Sequence, residues 1–525
     1  MRIIKYLFFT KMTQLLNLLI LAAVLPMTFS NALAHVNPDH IVEVRIDNID
    51  REGLSRLTRM GADIDGVWGS IARIYISSDK LEQLEDMGYV CTIQQRPSEN
   101  SRSSQGYHTH AELTEELKAI EAAHSDICRL HNIGESSEGR ELWFMEISDN
   151  VGTEEDEPEI KYISTMHGDE PVGTELCLSL IRLLTEQYGT DSQITELVSE
   201  TEIWIMPLMN PDGFAHQHRY NSQGKDLNRS FPDRIADPHN TPEGRPPEVQ
   251  HLMNWGFTHS PIIAANFHTG ALVTNYPYDA DADDRAGYSA TPDDELFVQL
   301  ALSYSSLNPP MYESPYFQKG ITNGARWYFI YGGMQDWNYE WMGCNELTIE
   351  LNDVKWPPFS EIPQLWEDNQ EAMLTYMEWS LRGIRGIVTD ADTGEPLDAT
   401  IHVAGIGHKV YTDPDVGDYH RILLPGTYSI RFSADAYLTR TVSDFVVEKG
   451  RAARLDIALS PQPEDMASLS LASILRILTK HILQDLPADL NLDFDDNGKV
   501  DMKDAISVLQ SVVTPSVNNL IILTD

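Results

Sequence analysis

Apolar residues recur along positions 41–93 with two alternating periods. Ile41, Val42, Val44 and Ile46 keep the spacing of a half-buried strand, and Leu54, Leu57 and Met60 keep that of a helix. Ile64, Val67, Ile71, Ile74 and Ile76 return to strand spacing, before a second helical set at Leu81, Leu84 and Met87 and a last strand at Tyr89 and Val90. The order strand, helix, strand, strand, helix, strand predicts a ferredoxin-like α+β domain over residues 35–95. Residues 96–106, with four Ser, a Pro, an Asn and a Gly, read as a linker. Residues 107–382 form a large α/β stretch, with short apolar strands at 160–166, 202–209, 262–267 and 347–351. Residues 383–460 are strand-rich, and their turns at Asp392-Thr393-Gly394, Val416-Gly417-Asp418 and Pro425-Gly426 have the spacing of a small β-sandwich. A tail at 461–525 opens on a short linker and carries an apolar helix at 469–483.

The N-terminus adds a targeting signal. Arg2, Lys5 and Lys11 precede an apolar run at 15–25 broken only by Asn17, and Ala32-Leu33-Ala34 has the small-x-small pattern of a cleavage site. Residues 1–34 are therefore read as a signal peptide and the protein as secreted or periplasmic. The run is shorter than the roughly 18 residues a membrane anchor needs, and no later stretch spans a bilayer.

Charge narrows the function. The 38 Lys+Arg against 80 Asp+Glu give a net charge of −42, and loss of the three basic residues with the signal takes it to −42 − 3 = −45. A surface this acidic repels phosphate backbones, so nucleic acid is not the partner. The 42% hydrophobic content excludes a disordered chain. Four cysteines without a Cys-x-x-Cys pair make a disulfide framework or a cysteine metal site a poor reading.

The chemistry lies in the α/β stretch. Directly after the strand at 160–166 comes His167-Gly168-Asp169-Glu170, and the strand at 262–267 ends in His268. Two imidazoles and one carboxylate leave tetrahedral zinc an open position for water, which is the catalytic arrangement. By itself His-x-x-Glu is common on solvated loops. Its neighbours are not: Asn210-Pro211-Asp212-Gly213, Arg219, the run Asp226-Leu227-Asn228-Arg229-Ser230-Phe231-Pro232, and Glu350 inside an apolar strand, where a carboxylate is costly without a metal or a proton to handle.

In this ordered set the chain resembles the zinc metallocarboxypeptidases. Asn275-Tyr276-Pro277-Tyr278-Asp279, Gly332-Gly333-Met334-Gln335-Asp336 and the following β-sandwich are similar to the regulatory branch, the carboxypeptidase N/E/D-like enzymes with their transthyretin-like domain. The resemblance implies a mixed-sheet α/β/α catalytic domain over 107–382. It implies His167, Glu170 and His268 as zinc ligands, Glu350 as general base and Arg219 as the group polarising the scissile carbonyl. Asn228 and Arg229 would grip the substrate's C-terminal carboxylate, with Tyr328 closing on it. Asp279 and Gln335 match the positions that select a C-terminal Lys or Arg. Ser230 stands where the family usually has Asn, and Thr269 where it usually has Gly, which touches fine specificity rather than activity. Physically the set is coherent: a guanidinium forks onto a carboxylate with two bonds, so Arg229 suits a free C-terminus. The predicted function is removal of the C-terminal residue of peptides or proteins. The alternatives are a same-fold peptidase acting on cell-wall peptides and a non-catalytic calcium-dependent binding module. The N-terminal domain is either an inhibitory prosegment or a permanent accessory domain.

The tail carries a second metal signal. Asp493, Asp495, Asn497, Asp501 and Asp504 fall at positions 1, 3, 5, 9 and 12 of a calcium loop, Gly498 at its sharp turn, and the carbonyl of Lys499 at position 7. Asp at position 12 is similar to a dockerin repeat. A dockerin has two repeats and this tail has one, which leaves a cohesin-like partner as a minor reading.

Overall fold

The computed structural model describes residues 41–94, 106–281, 287–413 and 415–462. The expected signal peptide, the tail helix and the calcium loop lie outside the described residues.

The N-terminal domain runs β1 (Ile41–Asp47), α1 (Arg51–Arg59), β2 (Asp63–Trp68), β3 (Ile71–Ser77), α2 (Leu81–Asp86) and β4 (Val90–Ile93). Its antiparallel sheet has the order β2-β3-β1-β4, the ferredoxin-like arrangement. Asp50 caps α1 by accepting from Gly53 N at 2.8 Å, and the helix buries Leu54 and Leu57 against the sheet.

The large α/β domain is built on eight strands: β5 (Cys128–Glu135), β6 (Glu141–Ile147), β7 (Glu159–Ser164), β8 (Glu202–Met206), β9 (Pro261–His268), β10 (Ala271–Tyr276), β11 (Ile321–Asn323) and β12 (Asn345–Asn352). Their order is β11-β10-β12-β9-β7-β8-β6-β5. The central strands β12, β9, β7 and β8 are mutually parallel, whereas β10, β6 and β5 enter by antiparallel pairs, so the sheet is mixed. Every residue of β7, β8 and β9 is buried, as expected of strands covered on both faces. The continuous apolar runs in the sequence reflect this, although β7 and β8 end at Ser164 and Met206, short of the expected 166 and 209.

Helices α3 (His110–Ala123), α4 (Val172–Gln187), α7 (Asp294–Ser305) and α9 (Ile362–Met377) cover one face, and α6 (Pro247–Gly256) and α8 (Met334–Met342) the other. The short α5 (Pro211–His216) lies beside the site, beyond β8. α3 opens with a capping box in which Thr109 and Glu112 satisfy each other's backbone donors.

Residues 383–460 form two four-stranded sheets around one apolar core, in which β13 (Ile384–Asp390) alternates buried and half-buried positions. After β13 come β14 (Ala399–Val403), β15 (Lys409–Tyr411) and β16 (Asp418–Arg421). All four cysteines are free, and Cys128, Cys177 and Cys344 are buried in the α/β domain.

Candidate active site

Three side chains meet at the C-terminal edge of the parallel strands, the usual place for a site in such a sheet. Beyond β7, Thr165 turns the chain with a φ of 53°. That left-handed conformation is unfavourable for a β-branched residue, and hydrogen bonds from its hydroxyl to Glu170 O at 3.1 Å and with Thr174 Oγ1 at 2.8 Å hold it. His167 and Glu170 follow on this turn. Gly168 between them packs so closely on α5 that a Cβ would run into the backbone of Gly213. His268 is the last residue of β9.

His268 Nδ1 lies 2.8 Å from Glu170 Oε2 and 3.0 Å from His167 Nδ1, and His167 Nδ1 is 3.1 Å from Glu170 Oε1. All three residues are at most 3% exposed. Ligands about 2.0–2.2 Å from one tetrahedral ion stand about 3.3 Å apart, so the triad fits zinc with little adjustment. Burial pushes His268 down to about 4, which keeps its imidazole neutral, as a metal ligand must be. His167 Nε2 meets Asp226 Oδ1 at 3.1 Å, a carboxylate behind a ligand imidazole. Asp226 also accepts from Arg219 Nε at 2.8 Å through its other oxygen.

Glu350 is the ladder partner of His268 across β12 and β9. It is 6% exposed, and its Oε2 has no hydrogen-bond partner. Burial, followed by the charges of Glu170 and Asp65, raises its carboxyl well above the usual carboxylate range. Asn228, Arg229 and Tyr328 line the same cleft. Asn228 is fixed through its Oδ1, which accepts from Met334 N at 3.0 Å.

The cleft is already filled by protein. Strand β2 crosses it: Arg229 donates to Ile64 O at 3.1 Å, Tyr328 to Asp65 O at 3.3 Å, and Arg219 to the Asp65 carboxylate at 2.7 Å. Arg73 and Lys355 pair with the same carboxylate, Lys355 at 2.7 Å. Trp327, Tyr328 and Ile330 of the cleft belong to one apolar core with Ile64, Ile74 and Leu57 of the N-terminal domain. Trp327 Nε1 donates to Val67 O at 2.9 Å and Arg73 to Gly270 O at 2.9 Å.

Asp279 and Gln335 are brought together, but behind the cleft wall. Gln335 Nε2 donates to Asp279 Oδ1 at 2.6 Å, and Asn275 Nδ2, from a residue that does line the cleft, donates to it at 3.2 Å. Asp279 is 3% exposed, and burial pushes its carboxyl up to about 7.

Three residues of the site carry little or no signal in the sequence. Asp226, two residues before Asn228 and three before Arg229, has a usable signal in that spacing. Lys355, whose Nζ is 2.8 Å from Glu170 Oε1, has no periodic or motif signal. Asp65 looked like one more polar position in a strand.

Comparison with known proteins agrees with this geometry. The model for zinc carboxypeptidases matches residues 113–372, and that for the carboxypeptidase regulatory-like domain matches residues 383–460. The carboxypeptidase N catalytic chain of Rattus norvegicus is 39% identical over 377 residues, covering 64% of this chain and 82% of that protein. Carboxypeptidase D of Anas platyrhynchos is 46% identical over 358 residues, covering 64% of this chain. The match spans only 26% of that relative's length. The crystal structure of carboxypeptidase A from Helicoverpa armigera shares the fold at a TM-score of 0.53 and 16% identity, over 64% of this chain and 96% of that one.

Proposed function

Because this chain belongs to the zinc carboxypeptidase family, we propose that it hydrolyses the last peptide bond of peptides or proteins and favours a C-terminal Lys or Arg. The observation that carries this reading is the convergence of His167, Glu170 and His268 with Glu350, Arg219 and Arg229 in one cleft. A zinc ion held by His167, Glu170 and His268 would polarise the scissile carbonyl and acidify a water molecule. Glu350, the ladder partner of His268, stands where it would accept a proton from a water in the cleft. Arg219, held in place by Asp226, supplies positive charge where oxyanion charge develops. Arg229 and Asn228 bind the free carboxylate, which makes the enzyme an exopeptidase, and Tyr328 closes the cleft over it.

Asp279 sets the side-chain preference through the wall formed by Asn275 and Gln335. A carboxylate buried there is best satisfied when a substrate cation approaches. Carboxypeptidases of types N and D are the named relatives, which supports placing the chain with them.

The N-terminal domain is an inhibitory prosegment in this reading. Its β2 backbone and Asp65 occupy the hydrogen-bonding groups of Arg229, Tyr328 and Arg219 that a substrate needs. Cleavage in the linker at 96–106 would release it. Export rests on the N-terminal signal pattern, and no helix among the described residues is long and apolar enough to cross a membrane. Calcium binding by the loop at 493–504 rests on its sequence pattern, and a cohesin-like partner would require a second repeat. Amino-acid release from peptides differing only in their last residue, with and without chelator, tests the central reading.

A further inference from the structure

On the edge of the sheet opposite the active site, about 20 Å back along β7 by strand rise, the catalytic domain meets the β-sandwich through acidic side chains. Glu159 opens β7 and is 3% exposed. Its Oε1 accepts from Ser260 N, while its Oε2 has no hydrogen-bond partner. The loop before β7 brings Glu154 to the same place, and the turn between β15 and β16 brings Asp413, 7% exposed, from the β-sandwich. One carboxylate oxygen from each of Glu154, Glu159 and Asp413 lies within 4.8 Å of the others.

This cluster differs from its neighbour in how its charge is met. Asp156, close by, pairs with Arg385 and Arg454, at 3.3 and 2.6 Å. Among the described residues no Lys or Arg pairs with Glu154, Glu159 or Asp413. Asp413 Oδ1 accepts from Asp415 N at 2.7 Å, and its Oδ2 faces the Ser260 hydroxyl at 3.5 Å, so its own turn is rigid but its charge is not neutralised. Asp418, 4% exposed, adds a second buried oxygen without a partner, its Oδ1. Burial and then the neighbouring acids, Asp413 first, push Glu154 up to about 7; burial and Glu202, its ladder partner in β8, carry Glu159 well above the usual range. A buried carboxylate oxygen left bare beside like charges must find a proton or a cation.

We propose that Glu154, Glu159 and Asp413 bind a divalent cation of the hard, oxygen-seeking class, calcium in the first instance, which clamps the β-sandwich to the catalytic domain. The donor set is all oxygen, which excludes a soft-metal preference. Its carboxylates come from a loop, a strand end and a turn, an irregular frame that calcium accepts and octahedral magnesium does not. Glu154 is exposed, which leaves one side open for water ligands.

The test uses the full chain carrying Asp493→Ala and Asp495→Ala, so that the tail loop does not respond, dialysed against calcium-free buffer that contains zinc. Equilibrium dialysis with radioactive calcium should find one ion bound per chain, and millimolar calcium should raise the melting temperature by several degrees, with a smaller shift in magnesium. Glu159→Gln and Asp413→Asn should each abolish the shift, raise or preserve the melting temperature without calcium, and leave hydrolysis unchanged. Failure of the parent chain to bind calcium, an equal response to magnesium, or retention of the full calcium shift by both variants would overturn the proposal.

Discussion

The carboxylate of Asp65 accepts a hydrogen bond at 2.7 Å from the guanidinium of Arg219, the group proposed to stabilise an oxyanion, although the two residues belong to different domains. Both are about 2% exposed. Burial opposes charge on Asp65, but Lys355, Arg73 and Arg219 outweigh it and hold the carboxyl well below the usual range. The contact therefore occupies the Arg219 guanidinium with a side chain of the N-terminal domain.

If the N-terminal domain is the proposed inhibitory prosegment, Asp65→Ala in the uncut chain is expected to raise kcat/KM by about tenfold or more, because removing one partner of a buried ion pair costs about 3–5 kcal/mol and that cost falls on the docked state. Peptidase assays on the variant, the uncut parent and the parent cut within residues 96–106 check it. The variant should approach the cut form, and equal activity of all three would mean an accessory domain.

Glu350→Gln should retain zinc and fold while losing kcat by a factor of about 10²–10⁴, the usual worth of a positioned general base. Metal analysis and steady-state kinetics on the same preparation separate a lost base from a lost metal.

Asp226→Asn tests positioning rather than contact with substrate. Asp226 fixes the His167 ring and the Arg219 guanidinium at once. Its loss should weaken zinc affinity by about 10–100-fold, and zinc titration against a competing chelator reads this independently of turnover.

Asp279→Asn has two expected effects. In the folded chain Asp279 keeps its proton up to about pH 7, whereas the unfolded group loses it near 3.9, so over that interval the folded state binds more protons and stability falls as pH rises. The variant lacks this loss, and its melting temperature relative to the parent should therefore climb between pH 5 and 8. It should also reduce the ratio of kcat/KM for peptides ending in Arg over Leu. An unchanged ratio would remove Asp279 from specificity.

The three proposed metal ligands are legible in the sequence because they lie where period and composition change together. His268 ends the apolar strand β9, His167 follows the apolar strand β7 by three residues, and Glu170 follows His167 within one turn. Glu350 stood out as a charge inside a buried strand. The N-terminal fold was equally plain, since β2 and β3 show in Ile64, Val67, Ile71, Ile74 and Ile76. Alternation tells which face of β2 is buried but not what it is buried against. The role of Asp65 arises only when β2 docks on Arg219, Arg229 and Tyr328, at separations of more than 150 residues that no local pattern encodes. Lys355 was hidden for the same reason, because its partners Asp65, Asp169 and Glu170 come from two domains.

The most direct measurement is amino-acid release by the chain cut within residues 96–106, from paired peptides ending in Arg or Leu with a free or amidated C-terminus. Single-residue release from the free peptides, faster for Arg, absent for amides, abolished by chelator and restored by zinc, is the predicted result. Full release in a demonstrably metal-free preparation, or equal cleavage of amidated peptides, would contradict a zinc carboxypeptidase built on His167, Glu170, His268 and Arg229.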